Sequence, residues 1–257
     1  MFASTTASHA NVSCLGILPG VGDPCQGAVY DVSADFSVVS NRSGPWLYGW
    51  SQSLNGTIQP MGFLLQQTGS MAGMVTWMIA QGRDGSPSVT HNPTNSTIVL
   101  YSYRELVWEP GDVEMHPGSN GEYAVVRWTA PAGGAYVVEG SFVGMNNYGG
   151  TTTDVHMRVN GASQVDGYIS GFGIAVNITR KSWVLKAGDV IDFAVGWGNN
   201  NYQWDSTKFI AKIASQPDTG FYDDKGVCIP SKWNVRADMG RRNCNYILSI
   251  YLSNQRC

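Results

Sequence analysis

The chain of 257 residues has room for one large β domain or two small ones, and its composition suits an all-β fold with many turns: 31 Gly, 12 Tyr and 9 Trp beside only 14% charged residues. A net charge of −3 and a pI near 5.7 leave no basic footprint for nucleic acid. There is no run of Lys and Arg and no apolar stretch of bilayer-spanning length, so neither nucleic-acid binding nor membrane insertion is expected.

Residues 1–29 are rich in Gly, Pro and Ser, with few periodic apolar positions, and read as an irregular N-terminal arm. The opening "MFASTTASHANVSCLGILPG" lacks a charged n-region, and its apolar run is too short for a signal sequence. Export would then rest on a leader removed already or lying outside this sequence. Cys14 and Cys25 fall in the arm, while Cys228, Cys244 and Cys257 fall in the tail. None has C-x-x-C spacing, which speaks against zinc. Cysteines confined to loop-rich ends read as disulfide staples in an oxidising compartment. Cys14 is expected to join Cys25, and at least two of the three C-terminal cysteines to join each other. The odd count leaves one thiol free or pairing between chains.

From residue 30 to 215 the chain breaks into short apolar runs separated by turn formers. The runs include "YDVSADFSVVS", "GMVTWMIA", "EYAVVRWTA", "GAYVVEGSFVG", "IAVNITRKSWVL" and "DVIDFAVGWG". With no convincing amphipathic helix, they predict two packed antiparallel sheets, a jelly-roll-like β-sandwich. "YAVVRWTAPAGGAYVVEGSF" and "WVLKAGDVIDFAVG" each read as a strand, a turn and a returning strand. In "TTTDVHMRVNG" the two-residue period puts Asp154, His156 and Arg158 on one face and Val155, Met157 and Val159 on the other. Asn160-Gly161 supplies a tight hairpin turn. A general base at His156 would need a cleft and a tuning partner, so a solvated or sheet-pairing polar row is expected instead. His9, His91 and His116 show no metal-ligand spacing, and no nucleophile elbow, zincin or phosphate-loop motif occurs. An enzyme is not expected. From 216 to 257 the character changes to a Cys-containing extension with a basic loop and one strand, "NYILSIYL", which would pack on the sandwich or pair with another subunit.

The ordered series His-Pro-Gly, Arg-Trp-Thr-Ala-Pro, Thr-Thr-Asp-Val-His, Val-Asn-Gly and Ala-Gly-Asp carries a resemblance. Over Tyr30 to Ile213 the chain resembles a secreted domain of bacterial proteins that bear a PEP-CTERM sorting signal. That resemblance implies a jelly-roll-like sandwich outside the cell and brings no catalytic residues. The chain departs from the pattern in having no Pro-Glu-Pro motif and no closing membrane helix. A looser similarity, to carbohydrate-binding jelly rolls, rests on a strand ending in Val-Asn-Gly and a later Leu-x-Ala-Gly-Asp turn; it is a likeness of fold.

Two aromatic stretches are candidate ligand sites. "GWGNNNYQWDST" sets Trp197, Tyr202 and Trp204 around Asn199, Asn200 and Asn201, and "SGPWLYGW" offers Trp46 and Trp50. Ring faces stack on sugar C–H surfaces while amides bond hydroxyls, the usual mix of apolar walls and a few polar groups. Asp31, Asp35 and Asp205 would supply hard oxygens for a structural calcium ion if their strands pair. Asn11, Asn41, Asn55, Asn95 and Asn177 head Asn-x-Ser/Thr sequons, which are N-glycosylated only in a cell with that machinery. The expectation is a secreted, non-catalytic glycan-binding sandwich. The rivals are a structural subunit whose partners are copies of itself, joined through the terminal extensions, and a glycoside hydrolase with carboxylates that no motif marks.

Overall fold

The computed structural model describes residues 27–42, 44–80, 85–100 and 106–216, and beyond these only the backbone of 221–222 and 228–229. Cys14, Cys25, Cys244, Cys257, the Asn11 sequon and the strand expected at 245–252 lie outside the described residues. Cys228 is placed as backbone alone, paired with Tyr222 in a short antiparallel ladder.

From Val29 the strands are β1 (Val29–Asp31), β2 (Trp46–Ser51), β3 (Gln59–Pro60), β4 (Phe63–Gln66), β5 (Val75–Met78), β6 (Ser88–His91), β7 (Ile98–Leu100) and β8 (Leu106–Trp108). Then follow β9 (Val113–His116), β10 (Tyr123–Thr129), β11 (Gly134–Gly144), β12 (Asp154–Val159), β13 (Ala162–Tyr168), β14 (Ala175–Leu185), β15 (Val190–Gly196) and β16 (Thr207–Ser215). One sheet runs β14-β11-β16-β9-β6-β5-β4, with β1 also on β16; the other runs β13-β12-β15-β10-β2-β3. Their pairings are antiparallel throughout. From β9 to β16 the chain changes sheet at every step except the β12–β13 hairpin. The result is the expected jelly-roll-like antiparallel sandwich. Among the described residues no helix is long and apolar enough to cross a membrane.

The two-residue period explains the core. On β10, Ala124, Val126 and Trp128 point inward and are buried. On the outer face of the same strand, Arg127 forks onto Asp192 of β15 at 2.6 and 2.9 Å. Phe193 of the second sheet meets Phe209 of the first at 4.9 Å between ring centroids, and Phe209 stacks on Phe142 at 5.2 Å. Each such ring contributes about 1.5–3 kcal/mol through burial. A smaller cluster of Met74, Ile98, Leu106, Trp108 and Met145 forms where the β7–β8 hairpin packs. There the Trp108 indole donates to Glu114 at 2.9 Å, satisfying a buried carboxylate.

Three local expectations change. The turns at 130–133 and 186–189 are not hairpins: each carries the chain from one sheet to the other. The two corners brace each other, Ala130 N–H on Asp189 O and Gly188 N–H on Ala130 O, both at 2.8 Å. "YDVSADFSVVS" extends only through Asp31, because its carboxylate accepts the Ser33 N–H at 3.0 Å and folds the chain into a turn. "SGPWLYGW", expected to offer its aromatic rings to a ligand, leads into β2, whose Trp46 and Tyr48 enter the core. The Asn160-Gly161 hairpin stands as expected, with φ of +49° and +80°.

At Gly140 on β11, an added β-carbon would overlap the carbonyl oxygen of Ile210 on β16. Backbone of a central strand cannot yield as a flexible side chain does. Gly140→Ala is therefore expected to destabilise the fold by about 2–3 kcal/mol, read as a lower denaturation midpoint; an unchanged midpoint would contradict this packing.

Candidate functional site

The strand directions bring three connections to one end of the sandwich: 145–153 between β11 and β12, 169–174 between β13 and β14, and 197–206 between β15 and β16. Backbone bonds lace them together: Gly144 N–H to Ile174 O at 3.0 Å, Gly171 N–H to Thr151 O at 2.8 Å, and Met145 N–H to Ser206 O at 2.9 Å. Glycines let aromatic rings lie directly on the main chain. The Trp204 ring covers the α-carbon of Gly149, where no β-carbon would fit. The Tyr168 ring covers Gly198, whose added β-carbon would stand 2.6 Å from it and 2.5 Å from the Thr152 carbonyl.

The surface that results is aromatic. Among the described side chains, the exposed aromatics are Tyr148 (71%), Phe172 (58%), Tyr168 (49%) and Trp204 (43%), and all four belong to this end. Tyr148 and Trp204 lie 6.2 Å apart at 54° and form one open corner. Trp204 holds φ at +63°, a left-handed conformation that costs a bulky residue about 1–3 kcal/mol and persists only where surrounding contacts enforce it. Around it stand the exposed amides of Asn147, Asn199, Asn200, Asn201 and Gln203. Asn200 donates to the Thr152 hydroxyl at 2.7 Å and accepts the Asn201 N–H on its carbonyl oxygen at 2.5 Å, which fixes the turn, while Asn199 stands exposed beside it.

Beneath the loops lies a set of carboxylates. Asp154 accepts from the Tyr123 hydroxyl at 2.6 Å, from His156 at 2.9 Å and from the Gly198 N–H at 2.7 Å. The other nitrogen of His156 meets Asp166, its cross-strand neighbour, at 2.6 Å. Burial opposes the charge on His156, but the two carboxylates outweigh it and raise its pKa. Burial likewise works against the Asp154 anion, yet its three donors hold its pKa below the ordinary range. The polar row of β12 is thus a sheet-pairing network. Asp205 differs. Its side chain is fully buried, Oδ1 accepts the Thr152 N–H at 2.8 Å and hydroxyl at 3.0 Å, and Oδ2 has no partner. Burial first, and Asp154 as a lesser cause, push its pKa up to about 7.

The expected site residues divide. Asn199, Asn200 and Trp204 stand on the exposed end, whereas Trp197 and Tyr202 are half-buried. Trp197 packs on Gly121, and Tyr202 meets His116 edge-on at 6.2 Å. Trp46 is corrected: it is 2% exposed in the core, its indole donating to Asp35 at 3.1 Å, so no ring face remains for a ligand. Trp50 shares its inward face and packs against the same core. The calcium trio is not assembled. β1 and β16 do pair, but Asp31 lies opposite Lys212, five residues or roughly 17 Å along the strand from Thr207, with Asp205 farther still. Asp31 instead faces the Lys212 ammonium at 3.3 Å, and Asp35 caps the Asp31 N–H at 3.0 Å. Among the described residues no His, Cys, Asp and Glu group could hold a metal ion. Of the sequons, Asn55, Asn95 and Asn177 are exposed. Asn41 is corrected, since its amide nitrogen donates to Tyr48 O and Met61 O, both at 2.6 Å, and is closed to modification.

Sequence reasoning missed Tyr148, Tyr168 and Phe172. "NNYGGTTT" has the same mixture of amides, glycines and an aromatic as "GNNNYQW", and that likeness was the available signal for Tyr148. Nothing local marks the other two. A separate shallow groove crosses the outer face of the second sheet, lined by Leu54, Ile58, Tyr123, Val125, Arg158 and Ala194. Arg158 closes one wall by donating to Leu54 O at 2.7 Å.

No family model and no curated protein matches the chain. Among solved structures, it is similar to a family 51 carbohydrate-binding module (CBM51) from Clostridium perfringens GH95 in complex with methyl-galactose. That likeness covers 72% of this chain and 99% of the other, at 12% identity and a TM-score of 0.35. A native family 35 carbohydrate-binding module from Clostridium thermocellum is similar over 55% of this chain and 87% of its own, at 12% identity and a TM-score of 0.26.

The titration of Asp205 has a definite sign. Its pKa in the fold, about 7, stands above its ordinary value of 3.8. Stability from this group is whole below the lower value and is lost as pH rises through the upper one. Relative to Asp205→Asn, which keeps the Oδ1 acceptor, the parent protein should lose unfolding free energy between about pH 4 and 7 and then level off. A pH-independent difference in urea denaturation would contradict an unpaired buried carboxyl.

Proposed function

We propose that the chain is a glycan-binding β-sandwich without catalytic activity, working outside the cell and taking its ligand at the aromatic loop end. The observation that carries this reading is Trp204. Its ring stays half exposed on a backbone conformation that an aromatic residue resists, with Tyr148 beside it and side-chain amides around it. Strained backbone clusters at ligand clamps and switch regions, which is what singles out this exposed ring as a ligand contact. Rings stack on the apolar faces of sugars, and amides meet the hydroxyls at their rims.

A non-catalytic role fits the chemistry beneath the rings. Glycoside hydrolysis needs two carboxyl groups flanking an accessible bond. Here Asp205 is fully buried, and Asp154 spends its oxygens on Tyr123, His156 and Gly198. An extracellular setting fits the exposed sequons at Asn55, Asn95 and Asn177, in a cell that N-glycosylates.

Trp204→Gly separates ligand binding from folding, because glycine accepts the left-handed backbone that tryptophan resists. It should weaken glycan binding at least tenfold, about 1.4 kcal/mol, while the melting temperature stays within a few degrees of the parent. Affinity electrophoresis against a polysaccharide panel and a melting curve read both. Unfolding with lost binding would make Trp204 a structural cap, and unchanged binding would place the ligand elsewhere.

A further inference from the structure

Building on the glycan-binding reading, we propose that this end holds two adjoining aromatic subsites and therefore selects an oligosaccharide of uncharged sugars over a single terminal sugar or an acidic chain. Trp204 and Tyr148 form the first subsite. Tyr168, with Phe172 beyond it, forms the second.

The second subsite is as exposed as the first. Tyr168 closes β13 with half its surface open, while the next residue, Ile169, is fully buried. The fold thus turns one side chain in and leaves the ring before it out. Tyr168 rests on Gly198 as Trp204 rests on Gly149. Three residues after Gly149 stands Thr152, whose carbonyl abuts Gly198 and whose hydroxyl takes the Asn200 amide at 2.7 Å. Trp204 thus lies on the first residue of the segment 149–152 and Tyr168 on the glycine that abuts its last, a segment at most about 11 Å long from end to end. Two rings carried on one short segment are adjoining supports, and the exposed Asn199 and Asn200 follow Gly198 directly in the chain.

Charge sets the class of sugar. The loops 145–153, 169–174 and 197–206 contain no Lys, Arg or His. Tight recognition of a carboxylate or sulfate relies on charge-assisted donors, with Arg the residue of choice. Asp205 lies in the loops and Asp154 directly beneath them; of the basic groups beside them, His116 meets Tyr202 edge-on at 6.2 Å, Lys208 pairs with Asp112 at 2.7 Å, and His156 is shared between Asp154 and Asp166. An anionic sugar would meet no Lys, Arg or His within the three loops to offset its charge.

Titration calorimetry of the full chain tests the proposal. The probes are galactose, glucose and N-acetylglucosamine, their β-1,4-linked oligomers of increasing length, and galacturonate oligomers as acidic counterparts. For the neutral series that binds, affinity should rise at least tenfold from the single sugar to the short oligomer. Tyr168→Ala should keep the single-sugar affinity and erase that gain; Trp204→Gly should abolish both. Galacturonate oligomers should bind at least tenfold more weakly than galactose oligomers. Phe172→Ala, on an exposed turn, repeats the test if Tyr168→Ala lowers the melting temperature. Equal affinity for single sugars and oligomers, a gain that survives both variants, or a preference for the acidic chain would overturn the proposal while leaving glycan binding standing. No binding of any probe by the parent protein would overturn both.

Discussion

The carboxylate of Asp154 is the joint on which the rest depends. It sits at the start of β12, opposite Gly196 of β15 and Tyr168 of β13. One oxygen holds the Gly198 N–H; the other takes the Tyr123 hydroxyl and His156. A rigid sheet is thereby bonded to the turn that begins the 197–206 loop. Bonds to an ionised acceptor are the strong ones, and here they act in a half-buried place where losing one would strand a charge. The aromatic end is presented in a fixed posture because this anchor does not slip. A preformed surface loses less freedom on binding than a floppy loop would.

The same joint explains why carboxylates near a candidate sugar site imply no hydrolysis. Asp154 is held as an anion by three donors, which makes it a weak base and leaves it no proton to donate. Asp205 has the opposite environment, protonated more readily but out of reach of any ligand. Two carboxyls with divided pKa values often mark acid and base partners. In this fold their burial assigns them to holding Gly198 and Thr152 in place.

Much of the architecture was legible in the sequence because strand periodicity is local. The face of β12 follows from alternate residues, and the Asn160-Gly161 turn from the left-handed backbone that those two residues tolerate. What lay hidden was long-range. The turns at 130–133 and 186–189 carry hairpin-like residues, yet both are corners, because their mutual hydrogen bonds bridge sheets and no local pattern encodes that pairing. Trp46 and Trp204 both lie in aromatic stretches near Gly; one ends as core and the other as surface, and only the tertiary neighbours decide. The aspartates proposed for calcium failed on register, which depends on which residue of β16 faces Asp31. Tyr168 joined the site because Gly198 leaves space above its α-carbon, a contact between positions thirty residues apart.

Among the described residues, the aromatic end competes as a ligand surface with the shallow groove beneath the 52–58 loop on the outer face of the second sheet. Mapping amide chemical shifts by nuclear magnetic resonance, while a neutral glycan that binds is titrated in, separates them most directly. The account predicts that the perturbed amides belong to 146–152, 168–174 and 197–206, with the indole of Trp204 among the most affected. Perturbations centred instead on Leu54, Ile58 and Arg158, with the loop end silent, would contradict it.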